Sequence, residues 1–197
     1  MLYISHRERE TRVLGPGLRY ALWLQGCQKR CPGCVFPEGQ PLDKNGVYIS
    51  VDELLCEIKS IAGIRGVTIS GGEPFLQAEE LCKLVQGIKR ETDLDIMIYS
   101  GYTLAEIKNL NISARTILMN IDLLVDGEYI ENQNNDTAYR GSDNQIIHAL
   151  SSKYHPYLER MKTAKNRSIE FVCRNDGDLF MIGIPAKGFR EKFMEML

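Results

Sequence analysis

Val67-Thr68-Ile69-Ser70-Gly71-Gly72-Glu73-Pro74 is the stretch on which the reading of this 197-residue chain turns. Three β-branched residues in succession suit a buried strand, and the paired glycines end it. Two further apolar runs share the form: Ile96-Met97-Ile98-Tyr99, ended by Ser100-Gly101, and Ile121-Asp122-Leu123-Leu124-Val125, ended by Asp126-Gly127. Helical spacing fills the gaps, with Leu81, Leu84, Val85 and Ile88 inside 77–91 and a second pattern from Thr103 to about Leu118. The runs begin at residues 67, 96 and 121, each about one strand–helix–strand unit (roughly 30 residues) after the last. The fold class is therefore α/β with a mostly parallel sheet, open or curled into a partial barrel.

Upstream, Arg19 to Leu24 is apolar and aromatic enough for another buried strand. A turn-rich segment follows from Gln25 to Asn45. Ser50 with Glu53 forms a capping-box pattern for a helix that carries Leu54, Leu55 and Ile58. Beyond Leu150 the texture changes, and residues 151–197 read as an appendage on a core of residues 1–150. Within it, 153–167 has weak helical spacing. Ile169–Val172 and Leu179–Ile182 flank Asn175-Asp176-Gly177-Asp178 as a hairpin, and Phe189 to Leu197 forms a short helix.

Composition narrows the function. The 24 Lys+Arg against 26 Asp+Glu give a net charge of −2, which argues against direct nucleic-acid binding. No apolar run reaches the roughly 18 residues of a membrane span, and the N-terminus is too charged for a signal peptide. A cytoplasmic protein without membrane association is expected.

The six cysteines divide unevenly. Cys56, Cys82 and Cys173 stand alone, whereas Cys27, Cys31 and Cys34 share one loop directly after a strand. Three soft thiolates suit zinc or an iron–sulfur cluster. A structural zinc ion and an ordinary four-iron cluster both want four ligands, and no histidine or further cysteine has motif-like spacing. Three ligands imply one open, reactive iron. A small zinc knuckle or a plain electron-transfer cluster stays open as an alternative.

In parallel α/β sheets ligands bind outside the carboxyl ends of the strands. Gly71, Gly72, Glu73 and Pro74 end one strand, Ser100 and Gly101 the next, and Asp126 the third. All would share a rim with the cysteine loop. The glycines allow a ligand close to the backbone, and the Glu73 carboxylate suits an ammonium group.

Cys27-x3-Cys31-x2-Cys34 together with Gly71-Gly72-Glu73-Pro74 resembles the radical S-adenosylmethionine (SAM) superfamily. Within it the sequence is most similar to the glycyl-radical-enzyme activases, in particular those serving anaerobic (class III) ribonucleotide reductases. The resemblance runs from Gly15-Pro16-Gly17-x-Arg19 through Gln25-Gly26-Cys27, Tyr99-Ser100-Gly101-Tyr102 and Leu124-Val125-Asp126-Gly127. It ends at Tyr139-Arg140-Gly141-Ser142-x-Asn144-Gln145 and covers residues 12–150.

The resemblance implies a radical-SAM barrel and a [4Fe–4S] cluster with three irons on Cys27, Cys31 and Cys34. The fourth iron would chelate SAM, with Gly71, Gly72 and Glu73 receiving its ammonium. Reductive cleavage would yield a 5′-deoxyadenosyl radical, which takes a hydrogen from a glycine on a large partner. Electrons would come from a donor such as flavodoxin or ferredoxin, and Arg140 would face SAM or the partner. The chain departs from these activases at Leu14, along Val35–Gln40 and in the appendage, so a small radical SAM enzyme with another peptide or nucleotide substrate is the alternative.

The cysteine assignment predicts that Cys31→Ala abolishes iron binding on reconstitution, while Cys56→Ala and Cys82→Ala retain it. Loss of iron from Cys56→Ala would refute the three-ligand reading.

Overall fold

The computed structural model describes residues 1–165, 167–173, 177 and 179–196. Its central sheet has seven strands in the order β3-β1-β2-β4-β5-β6-β7. In chain order these are β1 (Leu2–Thr11), β2 (Arg19–Leu24), β3 (Val47–Ile49), β4 (Gly66–Gly71), β5 (Asp95–Ser100), β6 (Leu123–Asp126) and β7 (Ile146–Ala149). The middle four, β2-β4-β5-β6, are parallel, and β1, β3 and β7 join antiparallel. The three runs read from the sequence are β4, β5 and β6. The flanking strands were missed because β1 carries Arg7-Glu8-Arg9-Glu10, and β3 and β7 are only three and four residues long.

Helices α1 (Val51–Ser60), α2 (Ala78–Glu91), α3 (Leu104–Leu110) and α4 (Ile112–Asn120) supply the crossovers. Ser50 caps α1, its side chain accepting from the Glu53 N–H at 3.1 Å, as its spacing predicts. The single helix expected from Thr103 to Leu118 is two. Asn111 turns extended and its Oδ1 accepts from Ala114 N–H at 2.8 Å, so a new helix begins there.

Strand alternation sends Tyr20, Leu22, Leu24, Val67, Ile69, Ile96, Ile98 and Leu124 to the helical face, against Leu54, Ile58, Leu81, Leu84, Val85 and Ile88. The other face is covered by the chain beyond β7. Met97, Leu123, Val125 and Ile147 pack with Tyr154 and with Met161 of α5 (Leu158–Thr163). Ala21 and Trp23 pack with Leu14 and Ile182, the latter from the hairpin β8–β9 (Ile169–Cys173, Leu179–Gly183). The expected turn residues Asn175, Asp176 and Asp178 lie outside the described residues, and a short helix α6 (Phe189–Met194) follows. Among the described residues no helix is long and apolar enough to cross a membrane.

The entry ends of the parallel strands are joined by a buried ion pair. Arg19, which opens β2 and is 0% exposed, donates to Asp95 Oδ1 at 2.6 Å, Thr68 Oγ1 at 2.6 Å, Val67 O at 2.9 Å and Pro16 O at 3.0 Å. The Tyr154 hydroxyl and the Lys153 ammonium donate to Asp95 Oδ2 at 2.7 and 3.1 Å. Gly66 makes room for the pair, since a Cβ there would stand 2.3 Å from Asp95 Oδ1. Burial pushes the Asp95 carboxyl up, but Arg19, Tyr154 and Lys153 pull it down further, and the net effect is a carboxyl held below its ordinary value. Its stabilisation is therefore present at neutral pH and lost as acid protonates it.

Asp95→Ala strands the Arg19 charge and is expected to cost about 3–5 kcal/mol. Urea unfolding should show a lower midpoint with an unchanged slope. A loss below about 1 kcal/mol, the range of an exposed pair, would show that water replaces the carboxylate.

Candidate functional site

The cysteine loop leaves β2 through a neck closed by its own polar groups. Gln25 Nε2 donates to Glu38 O at 3.1 Å and Pro41 O at 2.8 Å. Gly26 N–H donates to Gly39 O at 2.8 Å, and Cys27 N–H to Gln40 O at 3.0 Å. Residues 27–39 thus form a lobe pinned at both ends. Cys27, Cys31 and Cys34 are half-buried, form no disulfide and line one cleft of about 420 Å³. Burial raises Cys27 and Cys31 above the ordinary thiol value.

The Gly71-Gly72-Glu73 turn is stitched to that neck. Gly72 N–H donates to Leu24 O at 2.7 Å and Glu73 N–H to Gly26 O at 2.8 Å. A Cβ on Gly72 would lie 2.1 Å from Gly26 O, and one on Gly71 2.3 Å from Leu24 O. Ligand approach was the sequence-based reason for these glycines. The contacts give a more immediate one: any side chain would collide with the backbone that carries Cys27.

The Glu73 carboxylate is also turned to internal use. It is 1% exposed, and Oε1 accepts from Phe75 N–H at 3.0 Å and from the Ser100 hydroxyl at 2.9 Å. Oε2 accepts from Gly101 N–H at 2.7 Å. One carboxylate therefore locks the end of β4 to the end of β5. Burial dominates its titration and pushes it up to about 7, against the opposing pull of those donors.

Gly71, Gly72, Glu73, Ser100 and Gly101 line the cleft together with the three cysteines. Pro74 and Asp126 are not in its lining. Pro74 is buried and opens the 3-10 turn of residues 74–77 that leads into α2. Asp126 accepts from Leu104 N–H at 2.5 Å, at the start of α3, and stands 3.1 Å from His148 Nε2. Its neighbour Gly127 takes the place on the cleft wall. Arg140 closes its own loop, donating to Asp143 Oδ1 at 2.9 Å and Gln145 O at 3.0 Å, and does not line the cleft.

Lys29 ties the cysteine lobe to the rim, 2.9 Å from Glu128 and 4.6 Å above the Tyr102 ring. The sequence reading did not find Tyr99, Tyr129 and Gln145 on the cleft wall, nor the stretch from Met181 to Phe189. Tyr99 and Gln145 fall within the motifs of the resemblance, but their side chains and the others fit ordinary core and turn patterns, so nothing local places them on the cleft. Of the isolated cysteines, Cys82 is buried on α2, whereas Cys56 is exposed on the solvent side of α1.

Among the described residues no three His, Cys, Asp or Glu side chains converge as a single-ion site requires. Three soft thiolate donors on one cleft wall suit an iron–sulfur cluster.

Residues 13–148 match the family model of the 4Fe-4S single cluster domain. The anaerobic ribonucleoside-triphosphate reductase-activating protein of Vibrio cholerae is 37% identical over 146 residues, which is 71% of this chain and 92% of that protein. The namesake from Haemophilus influenzae is 37% identical over 155 residues, 75% of this chain and 97% of its own. That of Escherichia coli K12 is 33% identical over 149 residues, with 70% and 92% covered. The chain belongs to this activating-protein family. An iron–sulfur cluster is therefore supported for this chain, and the family domain ends at residue 148, before the segment that brings Met181 and residues 183–189 to the cleft wall.

Glu73 generates a pH prediction. Because its folded value is raised, the folded state keeps a proton that the unfolded chain gives up, and stability falls as pH rises from 4.5 to about 7. Glu73→Gln should start less stable, since an amide NH2 cannot accept from Gly101 N–H. Its urea midpoint should nevertheless fall less than that of the unsubstituted protein across this window. Parallel pH profiles for the two proteins would show that the buried carboxyl does not titrate there.

Proposed function

We propose that the protein is a radical SAM enzyme of the glycyl-radical activating type, acting on an anaerobic ribonucleotide reductase or a related large partner. The observation that carries the reading is the single cleft in which Cys27, Cys31 and Cys34 face Gly71, Gly72 and Glu73. β2 and β4, neighbours in a run of four parallel strands, deliver these residues to one rim, which supports a partial (β/α) radical-SAM barrel over residues 1–150 with residues 151–197 as the appendage.

Cys27, Cys31 and Cys34 would hold three irons of a [4Fe–4S] cluster. When bound, the cluster and SAM would supply a reductively generated 5′-deoxyadenosyl radical. The chain's own share is positioning and exclusion. The neck bonds of Gln25, Gly26 and Cys27 hold the thiols at a fixed height over the rim. Glu73, anchored by Ser100 and Gly101, fixes the turn whose backbone would receive the SAM ammonium. The carboxylate acts by holding that backbone in place, and the cleft walls enclose the thiols in part.

A cytoplasmic setting and a flavodoxin- or ferredoxin-type electron donor complete the proposal. The extra wall beyond residue 148 favours one second reading, a radical SAM enzyme with another peptide or nucleotide substrate.

Anaerobic reconstitution with iron and sulfide, then dithionite and SAM, should release 5′-deoxyadenosine. Addition of the partner reductase should give a glycyl signal in electron paramagnetic resonance. Stoichiometric zinc without iron, or no 5′-deoxyadenosine from iron-loaded protein, would sink the proposal. The nucleoside without a glycyl signal would move the reading to the second substrate class.

A further inference from the structure

Two neck bonds, Gly26 N–H to Gly39 O and Cys27 N–H to Gln40 O, fix where the cysteine lobe begins and ends. Among the described residues, 28–36 make no backbone–backbone bond outside the lobe, so the neck alone does not hold Cys31 and Cys34 to the rim. The Tyr129 N–H bonds the Cys31 sulfur. The charged fastening is Lys29.

Lys29 lies between Cys27 and Cys31, and its side chain is 15% exposed. The stem crosses Gly101 closely, since a Cβ there would stand 3.1 Å from Lys29 Cγ. The ammonium ends 2.9 Å from Glu128 Oε1, 3.6 Å from Glu106 Oε1 and 4.6 Å above the Tyr102 ring. Glu106 is held for this contact. Its Oε2 accepts from Thr103 N–H at 2.6 Å and from the Thr103 hydroxyl at 2.8 Å, which leaves Oε1 for the lysine. One cation thus bridges the lobe to the ends of β5 and β6 and to the first turn of α3. Arg30, the lobe's other cation, is exposed and enters no ion pair among the described residues.

We propose that Lys29 is a positioning residue for the iron centre: its ammonium latches the cysteine lobe against the rim, and the latch sets how long iron is retained. The iron rests on the cluster reading of the three thiols; the latch does not. The competing role for a lysine here is direct attraction, a cation that favours thiolates and an anionic centre. The two roles predict opposite signs. A latch needs its carboxylates, so loss of Glu128 loosens it. Direct attraction gains from the same loss, because Glu128 neutralises the cation and repels an anionic centre.

The test uses the full chain in two forms. In metal-free protein, iodoacetamide labelling of Cys31 and Cys34 is read by mass spectrometry, with exposed Cys56 as reference and buried Cys82 as a check on the fold. Lys29→Met, which keeps the stem, should label both thiols about tenfold faster than the unsubstituted protein, equivalent to about 1.4 kcal/mol of easier opening. Direct attraction predicts slower labelling, since fewer thiolates remain. In anaerobically iron-loaded protein, release of iron to a chelator should be faster in Lys29→Met and, by about threefold, in Glu128→Ala. Lys29→Arg and Arg30→Gln should release iron at the unsubstituted rate.

Unchanged or slower labelling in Lys29→Met would overturn the proposal. So would slower iron release from Glu128→Ala, no recovery with arginine, or equal acceleration in Arg30→Gln. A matching rise at Cys82 would assign the effect to loss of the fold and overturn it too. Protein that takes up no iron would instead remove the cluster reading, and the metal-free labelling would still decide the latch.

Discussion

Parallel strands present like ends to one another, and here the entry ends are held by one buried ion pair. Arg19 begins β2, Asp95 begins β5, and Gly66 of β4 lies between them, without a side chain that would keep the pair apart. Removing two charges from water is costly, and the arrangement offsets this with Thr68, Val67, Pro16 and Tyr154 as further partners. Because Lys153 and Tyr154 join it, the same network holds the start of the segment beyond β7 under the sheet. Register at the entry ends fixes which residues emerge at the exit ends.

At the exit ends the logic is repeated with backbone. Leu24 of β2 pairs with Gly71 of β4, and Ser100 of β5 with Asp126 of β6. Glycines at 71 and 72 let the cysteine neck approach within hydrogen-bonding distance, and Glu73 reaches across to Ser100 and Gly101. The site is thus assembled from three strand ends that share no local sequence. Asp126 belongs to the same rim but serves the start of α3.

Much of this was legible in the chain itself. The β4, β5 and β6 runs announce themselves by apolar β-branched character and glycine stops, and the spacing between them implies parallel return. The cysteine triad is local and needs no structure to be seen. Less visible was β1, whose second half reads as a charged surface, and the break at Asn111, where one capping amide splits an otherwise continuous helical pattern. The lock that Glu73 forms was not legible because its partners, Ser100 and Gly101, lie 27 and 28 residues away.

The sequence by itself determined the α/β class, the three cysteines that share one loop and the strand ends that share one rim. These follow from short-range patterns: residue alternation, glycine stops and ligand spacing within one loop. Only the tertiary structure decided that Glu73 is a buried lock between two strands, that Pro74 and Asp126 stand outside the cleft, and that Met181 to Phe189 complete its wall. Those facts depend on contacts between distant segments, and neither burial nor hydrogen-bond partnership is encoded at the positions that experience it.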